Sequence, residues 1–331
     1  MDSDWLGPAD HPSARLPSGD CKLNQRTVFF ILGVIMSNPF ECLVRNLYNP
    51  HSTYAYNCAY ATNRGIQSRP RMKVRAGIEV SSQSDIGCLR QNNEDSFGYW
   101  EPDDDREFLR KGRLAVVADG MGGYEGGQEA SRLAVSTMVD SYRDFAGDDT
   151  REALVQALQS AHEEIRKHSF AHPELRGMGT TCTAIAILKG ADGNANYSSL
   201  FYVHVGDTRL YLIRDGRITR VTRDHSYVGR LIEAGMISEQ QAEVHPQRNI
   251  LTSAVGTNPD LVMDASEQPE PLRREDVLVI CSDGLWGLVR DAEILNAVKN
   301  KTTEQAGRDL IELARHRGGP DNITVQILRV L

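Results

Sequence analysis

The sequence has little of several features that would assign it to a class of protein at once. Its six cysteines include no C-x-x-C pair, which argues against a zinc site built from thiolates. Its longest apolar run, "VFFILGVIM" at 28–36, is far shorter than the ~20 residues that a membrane-spanning helix needs. Only three basic residues precede that run, so a signal peptide is not indicated either. We therefore predict no membrane span.

Positive charge is also scarce. The chain carries 37 lysines and arginines against 45 aspartates and glutamates, a net charge of −8, so general attraction to nucleic acid or anionic lipid is not expected. Aromatic residues make up only 7% of the chain, and no basic, aromatic-rich stretch offers a surface for stacking bases. Cys182 and Cys281 lie inside apolar runs and are predicted to be buried thiols in a reducing, cytoplasmic compartment.

Residues 1–75 differ in composition from the rest of the chain. They are rich in Asn, Tyr, Pro, Ser and Cys and show no sustained periodicity, which is typical of a disordered or loosely packed N-terminal extension. Residues 28–36 are a candidate short helix within it. A second interpretation is that translation starts at Met72 and the upstream residues are not part of the natural protein. The sequence supports either interpretation, and the folded domain is predicted to span 76–331.

Apolar runs of strand length dominate from residue 76 onward. They occupy 113–119, 181–189, 199–207, 208–216, 277–283 and 322–330. Links of a few residues between the middle runs permit antiparallel hairpins but not parallel crossovers. Apolar residues with helical spacing predict helices at 125–146, 150–169, 227–234, 291–299 and 303–316. Strands alternating with helix pairs predict an α+β fold in which two sheets pack face to face with helices outside.

The dipeptide Asp-Gly occurs three times in this part of the chain. In "LIRDGRIT" (212–219) strand-like residues flank it on both sides, which predicts a tight hairpin turn. Asp119 and Asp283 each follow an apolar strand without such a return strand. A helix cap explains either aspartate as well as a functional role does.

Glycine is concentrated after Asp119, where five of the eight residues from 120 to 127 are glycine. Gly122 and Gly127 have the spacing of a phosphate-binding loop, but Gln128 stands where that motif needs lysine. The dinucleotide pattern fails because Glu125 occupies its last position. The remaining interpretation is that bare backbone allows close approach, for example of a carbonyl to a ligand.

Further acidic residues lie in "SDIGCLRQNNEDSFGYW" (84–100) and "RGGPDNITVQI" (317–327). Carboxylates at strand ends, next to glycine, suit hard cations such as Mg²⁺ and Mn²⁺, which prefer oxygen ligands. Two adjacent ions would lower the pKa of a shared water and make it a nucleophile at neutral pH. Arg90 offers a planar fork for a phosphate group.

Six motifs in order resemble the metal-dependent, type 2C protein serine/threonine phosphatases in their compact bacterial form. They are R-x-x-N-E-D (90–95), V-A-D-G-M-G-G (117–123), M-G-T-T (178–181), H-V-G-D-T-R (204–209), S-D-G-L-W (282–286) and G-G-P-D-N-I-T-V (318–325). The resemblance covers roughly residues 76–331. It implies a four-layer α-β-β-α sandwich with a dinuclear metal site at one edge of the β-sandwich.

The resemblance also implies a role for each matching residue. Asp119 would bridge two Mn²⁺ or Mg²⁺ ions, the Gly120 carbonyl would bind one of them, and Asp283 and Asp321 would bind the other. Arg90 would hold the phosphate, and Glu94 and Asp95 would lie in or near the metal shell. Asp207 matches a position that helps to bind a third ion in bacterial members, although without the resemblance a turn cap explains it better.

Met121 is a departure from many eukaryotic members, which have histidine there as a donor of the leaving-group proton. Methionine cannot donate one, so the general acid is unassigned and a metal-bound water takes its place in our hypothesis. The histidines of this chain are assigned structural or surface positions: His204 in a strand, His162, His168 and His172 solvated on or after a helix, and His225 and His245 within 224–256. That polar segment resembles the family's flap beside the active site.

The resemblance implies a cytoplasmic, monomeric enzyme that hydrolyses phosphoserine and phosphothreonine in proteins by attack of a metal-bridging hydroxide. Its partners would be phosphorylated proteins and bacterial serine/threonine kinases. A pseudophosphatase that binds phosphoproteins without turnover is the alternative, and the intact Asp119, Asp283, Asp321 and Arg90 argue against it. A nuclease with two metal ions is a further alternative, which the acidic net charge disfavours.

Overall fold

Two antiparallel β-sheets lie at the centre of the structure. The computed structural model describes residues 74–122, 125–189 and 198–331; the candidate helix at 28–36 and the alternative start at Met72 lie outside the described residues. The strands are β1 (Ile78–Asp85), β2 (Asp95–Trp100), β3 (Arg113–Met121), β4 (Gly179–Thr180), β5 (Cys182–Lys189), β6 (Ser198–Val205), β7 (Arg209–Arg214), β8 (Arg217–Arg220), β9 (Asp264–Ala265), β10 (Glu270–Leu272), β11 (Val277–Cys281) and β12 (Ile323–Val330). The helices are α1 (Asp105–Lys111), α2 (Gly126–Asp144), α3 (Thr150–Ala171), α4 (Tyr227–Glu233), α5 (Glu239–Glu243), α6 (Asp283–Trp286), α7 (Asp291–Val298) and α8 (Thr303–His316).

The strand order of the first sheet is β1-β12-β11-β7-β8, and that of the second is β10-β6-β5-β3-β2. Every pairing is antiparallel, including those of the short strands β4 with β3 and β9 with β6. The short links between strands require this arrangement, because a parallel pair needs a long crossover. The predicted antiparallel character is therefore confirmed.

The central strands are buried on both faces, which explains why they read as unbroken apolar runs. In β3, Leu114, Val116 and Ala118 pack among residues of α2 and α3. The alternate residues Ala115 and Val117 pack between the sheets, against Leu278 and Ile280 of β11 and Leu328 of β12. Because side chains alternate along a strand, each sheet separates a helical layer from the shared core.

The second helical layer packs on the other sheet. Ile294 and Val298 of α7, and Leu310, Ile311 and Ala314 of α8, lie in one cluster with the outward-facing residues of β11 and β12. The order of layers is thus helix, sheet, sheet, helix, and the predicted α-β-β-α sandwich is confirmed. None of the helices within the described ranges is long and apolar enough to cross a bilayer.

Local sequence patterns predict most of these strands and helices at the positions where the structure has them. The predicted hairpin turn is present, with positive φ at both Asp215 (51°) and Gly216 (72°), the conformation for which Asp-Gly is favoured. Helix α3 begins where the Asp149 side chain accepts from the Glu152 N–H. Helix α8 begins with a capping box formed by Thr302 and Gln305. Strands β1 and β2 and helix α1 were not predicted, because their sequences are polar and half-buried.

Candidate metal centre

Asp119 and Asp283 lie together at one edge of the sandwich. Asp119 is near the end of β3, opposite Asp95 in the register of β2 and β3, and Asp283 is the first residue of α6, directly after β11. The two carboxyl groups are close enough for each to affect the pKa of the other. Burial raises the pKa of Asp283 to about 6, and repulsion from Asp321 adds to the effect. Burial, with repulsion from Asp95 and Asp283, raises the pKa of Asp119 well above its usual range.

Asp95 lies behind this pair and is 4% exposed. Its Oδ2 accepts a hydrogen bond of 2.8 Å from the Ser282 hydroxyl, whereas its buried Oδ1 has no partner. Burial raises the pKa of Asp95 to about 7, against the effect of hydrogen bonds from Thr324 and Ser282. A buried carboxylate oxygen without a donor is unfavourable. A positive charge beside Asp95 would therefore stabilise the carboxylate.

Asp207 occupies the turn between β6 and β7 and is 7% exposed. Burial, followed by repulsion from Asp283 and Asp224, raises its pKa well above the usual range. The indole N–H of Trp286 donates to its backbone carbonyl at 2.9 Å. Asp207 therefore lies near the same carboxylates, and its backbone is attached to the segment that follows Asp283.

Arg90 is the basic group of this edge, and it contacts Asp321. Its Nη2 lies 2.7 Å from Asp321 Oδ2, with the two side chains 47% and 34% exposed. The hydrogen bond that Arg90 donates to Asp321 raises the pKa of the guanidinium, with further attraction from Glu94 and Asp119. Burial raises the pKa of half-buried Glu94, and the positive charge of Arg90 offsets part of this increase. Arg90 is thus placed beside the carboxylates that the sequence selected.

Gly120 explains part of the glycine cluster. A Cβ at this position would lie 2.0 Å from the Gly127 carbonyl oxygen and 2.6 Å from that of Glu94, distances that no side chain can occupy. The Gly120 N–H also donates to the Glu94 carbonyl at 3.1 Å. Close approach of backbone is therefore what requires glycine here, while the expected metal contact of its carbonyl stays a prediction.

Several polar residues that hold these carboxylates were not singled out from the sequence. Asp119 is held by its backbone: its N–H donates to the Thr181 hydroxyl (2.9 Å), and its carbonyl accepts from the Thr180 hydroxyl (2.8 Å) and the Thr181 N–H (2.8 Å). The Asn322 side chain accepts from the Glu94 N–H at 2.8 Å. These residues belong to the M-G-T-T and G-G-P-D-N motifs, so a search for hydroxyls and amides beside the aspartates would have found them.

The histidines divide into a confirmed and a corrected set. His204 is fully buried, with Nδ1 2.8 Å from the Thr183 hydroxyl and Nε2 2.9 Å from the Arg223 carbonyl, as expected of a strand residue. The prediction that His162 is solvated is wrong, since it is 5% exposed. It lies on the buried face of α3, which packs with α2 on the sheet. His168 and His172 stack on each other at the end of that helix, with ring centroids 4.4 Å apart.

The segment 224–256, called the flap below, contains α4 and α5 and is fixed at both ends. Asp224 forms a two-pronged ion pair with Arg209 at 2.7 and 3.1 Å, and Arg209 stacks on the Trp286 ring at 3.5 Å. At the other end, Val255 and Thr180 exchange two backbone hydrogen bonds. Both ends of the flap thus meet residues adjacent to the candidate metal centre.

The donor set fits hard divalent cations in its chemistry. Asp95, Asp119, Asp207, Asp283 and Asp321 bring oxygen donors and an excess of negative charge to one edge, with Arg90 beside them. Among the described residues, no three histidine, cysteine, aspartate or glutamate side chains are already arranged as a closed cage. Asp321 is paired with Arg90, whereas Asp119 and Asp283 repel each other, and a bound cation would relieve that repulsion.

Known proteins resemble this chain over most of its length. The family model "Protein phosphatase 2C" matches residues 90–320. The serine/threonine protein phosphatase PstP of Mycobacterium tuberculosis is 35% identical over 262 residues, which cover 78% of this chain and 46% of that protein. The chain therefore spans about half the length of that relative.

Two solved structures have the same architecture. The serine/threonine phosphatase of S. agalactiae has a TM-score of 0.68 at 32% identity, covering 77% of this chain and 100% of that one. The catalytic domain of PstP in complex with two manganese ions has a TM-score of 0.63 at 33% identity, covering 77% and 99%. The chain belongs to the protein phosphatase 2C family.

Proposed function

We propose that this chain is a Mn²⁺- or Mg²⁺-dependent protein phosphatase that hydrolyses phosphoserine and phosphothreonine in proteins. The observation that carries the proposal is the gathering of five aspartates at one edge of the sandwich, four of them with raised pKa values. Functional sites are where such perturbed groups concentrate. The relative with two manganese ions supports the choice of metal.

In the proposed centre Asp119 would hold both ions, the Gly120 carbonyl would hold one of them, and Asp283 and Asp321 would hold the other. Asp207 is assigned to a third position, and Glu94 and Asp95 hold the surrounding waters and backbone. When bound, the two ions supply a water of lowered pKa and neutralise the phosphoryl oxygens. These assignments rest on the placement of the side chains and on the family motifs.

The residues of this chain would position the phosphate and the central carboxylate. Arg90, which is half-exposed beside Asp321, is placed to turn from that carboxylate to a phosphate and bind two of its oxygens. The hydroxyls of Thr180 and Thr181 fix the backbone of Asp119 on both sides. Phosphoryl transfer demands little covalent chemistry from a protein, so such positioning and charge supply most of the rate gain.

Release of phosphate from phosphoserine, phosphothreonine and phosphotyrosine peptides tests the proposal. We expect turnover of the first two with Mn²⁺ or Mg²⁺ and none after chelation with EDTA. Binding of phosphopeptides without turnover at any metal concentration would instead support the pseudophosphatase alternative. Nicking of supercoiled plasmid would support a nuclease.

The relatives also support a proposal for the biological setting. Relatives named as bacterial serine/threonine phosphatases support a role opposing serine/threonine kinases in the cytoplasm, with residues 1–75 as an extension outside the catalytic domain. Among the described residues outside the flap, the exposed large apolar side chains are spread over separate elements, as with Leu109 of α1 and Phe170 of α3, and the others lie in the flap itself. This supports a monomer, which light scattering at two concentrations would test.

A further inference from the structure

His162 is a buried, titratable side chain outside the residues assigned to the candidate centre. It lies in α3 and is 5% exposed. Its Nδ1 is 3.0 Å from the Gly256 backbone nitrogen, which donates a hydrogen bond to it. Because Nδ1 must accept, the ring is neutral and carries its proton on Nε2. Burial lowers the pKa of His162, with carbonyls of Pro259 and Asn258 opposing that effect in part, which agrees with a neutral ring.

The ring is not explained by space-filling alone. Its Nε2 is buried near the Pro259 and Asn258 carbonyls without a well-formed hydrogen bond to either, and burying a polar N–H on such terms is unfavourable. An apolar side chain of similar shape would avoid that cost. What an apolar side chain could not do is accept the Gly256 N–H, which would then itself be buried without a partner. The acceptor at Nδ1 is therefore the property that distinguishes histidine here.

Gly256 is held closely against the same helix. Its φ is +89°, and a Cβ there would lie 2.2 Å from Cγ2 of Ile165, so the backbone rests directly on α3. The neighbouring residue Val255 donates to the Thr180 carbonyl at 2.8 Å and accepts from the Thr180 N–H at 3.1 Å. The end of the flap is thus fixed between α3 on one side and Thr180 on the other.

Thr180 connects this end of the flap to the candidate centre. Its hydroxyl donates to the Asp119 carbonyl at 2.8 Å, and Gly120 pairs with Thr180 in the register of β3 and β4. Hydrogen bonds therefore link His162 to Gly256, Val255 to Thr180, and Thr180 to Asp119, and the peptide bond between Val255 and Gly256 joins them into one path. A shift of Gly256 would be passed to the backbone of the central aspartate over a few packed residues.

We propose that His162 is a positioning residue, whose Nδ1 holds the end of the flap so that Thr180 keeps Asp119 in place for metal binding. The proposal rests on the proposed function insofar as Asp119 is a metal ligand. Its test measures Mn²⁺ affinity, so it can fail or succeed whether or not the protein turns over phosphopeptides.

A matched pair of substitutions isolates the acceptor. His162→Asn keeps an acceptor oxygen at the same number of bonds from Cα as Nδ1, and His162→Leu places a methyl group there in a side chain of the same shape. We expect His162→Asn to bind Mn²⁺ within about twofold of wild type and His162→Leu to bind about tenfold more weakly by calorimetry. Equal Mn²⁺ affinities of the two variants would overturn the proposal, even if the leucine variant melts at a lower temperature.

Position 168 supplies the control, since His168 is on the same helix and contacts Glu129 and His172 instead of the flap. His168→Asn and His168→Leu should have equal Mn²⁺ affinities, and a difference like that at position 162 would overturn the specific role of His162. If His162→Leu does not fold, NMR of the wild-type protein decides. Addition of Mg²⁺ should shift the ring-nitrogen signals of His162 and the Gly256 amide, and unchanged signals would contradict the coupling.

Discussion

Buried charges are paired with opposite charges at one end of strands β3 and β11, whereas like charges gather at the other end. At the first end, Arg113 at the start of β3 pairs with Glu101 at 3.0 Å, with side chains 5% and 9% exposed. Asp276, just before β11, accepts from both Arg214 Nη2 and Nε at 2.7 and 3.0 Å. At the other end of the same strands, Asp119 and Asp283 face each other and further carboxylates.

This difference distinguishes buried charges that stabilise the fold from buried charges that are available to bind a ligand. Burying an ion is costly unless it is paired, and the first end meets that requirement within the chain. The second end does not, since half-exposed Arg90 is paired with Asp321 while Asp95 keeps an oxygen without a partner. A bound cation would resolve this imbalance, which supports the proposal of a metal centre at the second end of the strands and not at the paired end.

The largest effect is expected from Asp119→Asn. A carboxylate shared by two ions loses charge at both, so kcat on phosphopeptides should fall by about 10²–10³-fold or more. The metal-free variant should melt at the same or a higher temperature than wild type, because one repulsive charge is removed. Phosphate release at saturating Mn²⁺ checks the first statement and calorimetry in EDTA the second, and a variant with normal turnover at saturating Mn²⁺ would remove Asp119 from the centre.

A pair of substitutions on β11 compares its two ends directly. Asp276→Asn leaves Arg214 without its buried partner and should lower the free energy of unfolding by about 2–4 kcal/mol, with Mn²⁺ affinity unchanged. Asp283→Asn should have the reverse result, namely weak Mn²⁺ binding and a metal-free stability at or above that of wild type. Denaturant titration in EDTA, together with calorimetry, measures the pair. The same sign of stability change in both variants would contradict the comparison.

Arg90→Ala should act on substrate binding more than on turnover. Loss of a hydrogen bond to a charged group is worth roughly 1.5–3 kcal/mol, so KM for phosphopeptides should rise about ten- to a hundredfold. Arg113→Ala is the control at the paired end: it should destabilise the fold and leave KM unchanged. A normal KM in Arg90→Ala would limit Arg90 to its contact with Asp321.

Much of this arrangement was predictable from local chemistry. Asp119 and Asp283 were selected because each ends a buried strand, and the structure brings them together since those strands belong to facing sheets. Asp215 was correctly separated from them because a return strand follows it. The paired end was not predicted, since Arg113 and Glu101 are neighbours only across the register of strands. His162 was misplaced because a helical pattern shows which face is apolar but not which polar residue that face can hold.

Lowering the pH should stabilise the metal-free protein over a narrow range. The pKa values of Asp95 and Asp283 are raised to about 7 and about 6, so the folded state binds these protons more tightly than the unfolded state. Stability is therefore lost as the pH rises through those values. The pKa of His204 is lowered to about 4, which opposes this trend only below its unfolded value.

The melting temperature in EDTA should thus be a few degrees higher near pH 6.5 than near pH 8. Saturating Mn²⁺ should remove the difference, because the cation neutralises the carboxylates. Asp95→Asn should reduce it, whereas Asp276→Asn, at the paired end, should not. A metal-free protein that is more stable near pH 8 would show that the second end is not short of positive charge.

The smallest effect concerns Met121, which stands at the second end where a proton donor is expected in other family members. Met121 pairs with Gly179 in register, and a Cβ at Gly179 would lie 3.2 Å from the Met121 methyl carbon, so the side chain extends over that glycine. A histidine here would follow Asp119 and Gly120 directly in the chain, and it could act as a general acid while protonated. Serine leaves from phosphoserine as a strongly basic alkoxide that gains from protonation, whereas p-nitrophenolate leaves readily without it.

Met121→His should therefore raise the ratio of kcat on phosphoserine peptides to kcat on p-nitrophenyl phosphate, by less than about tenfold, below the pKa of the imidazole. Met121→Gln, which does not titrate there, should leave this ratio unchanged. A ratio that is the same in all three proteins from about pH 6 to pH 8 would mean that position 121 does not face the leaving group, and the flap histidines His225 and His245 would be the next residues to substitute.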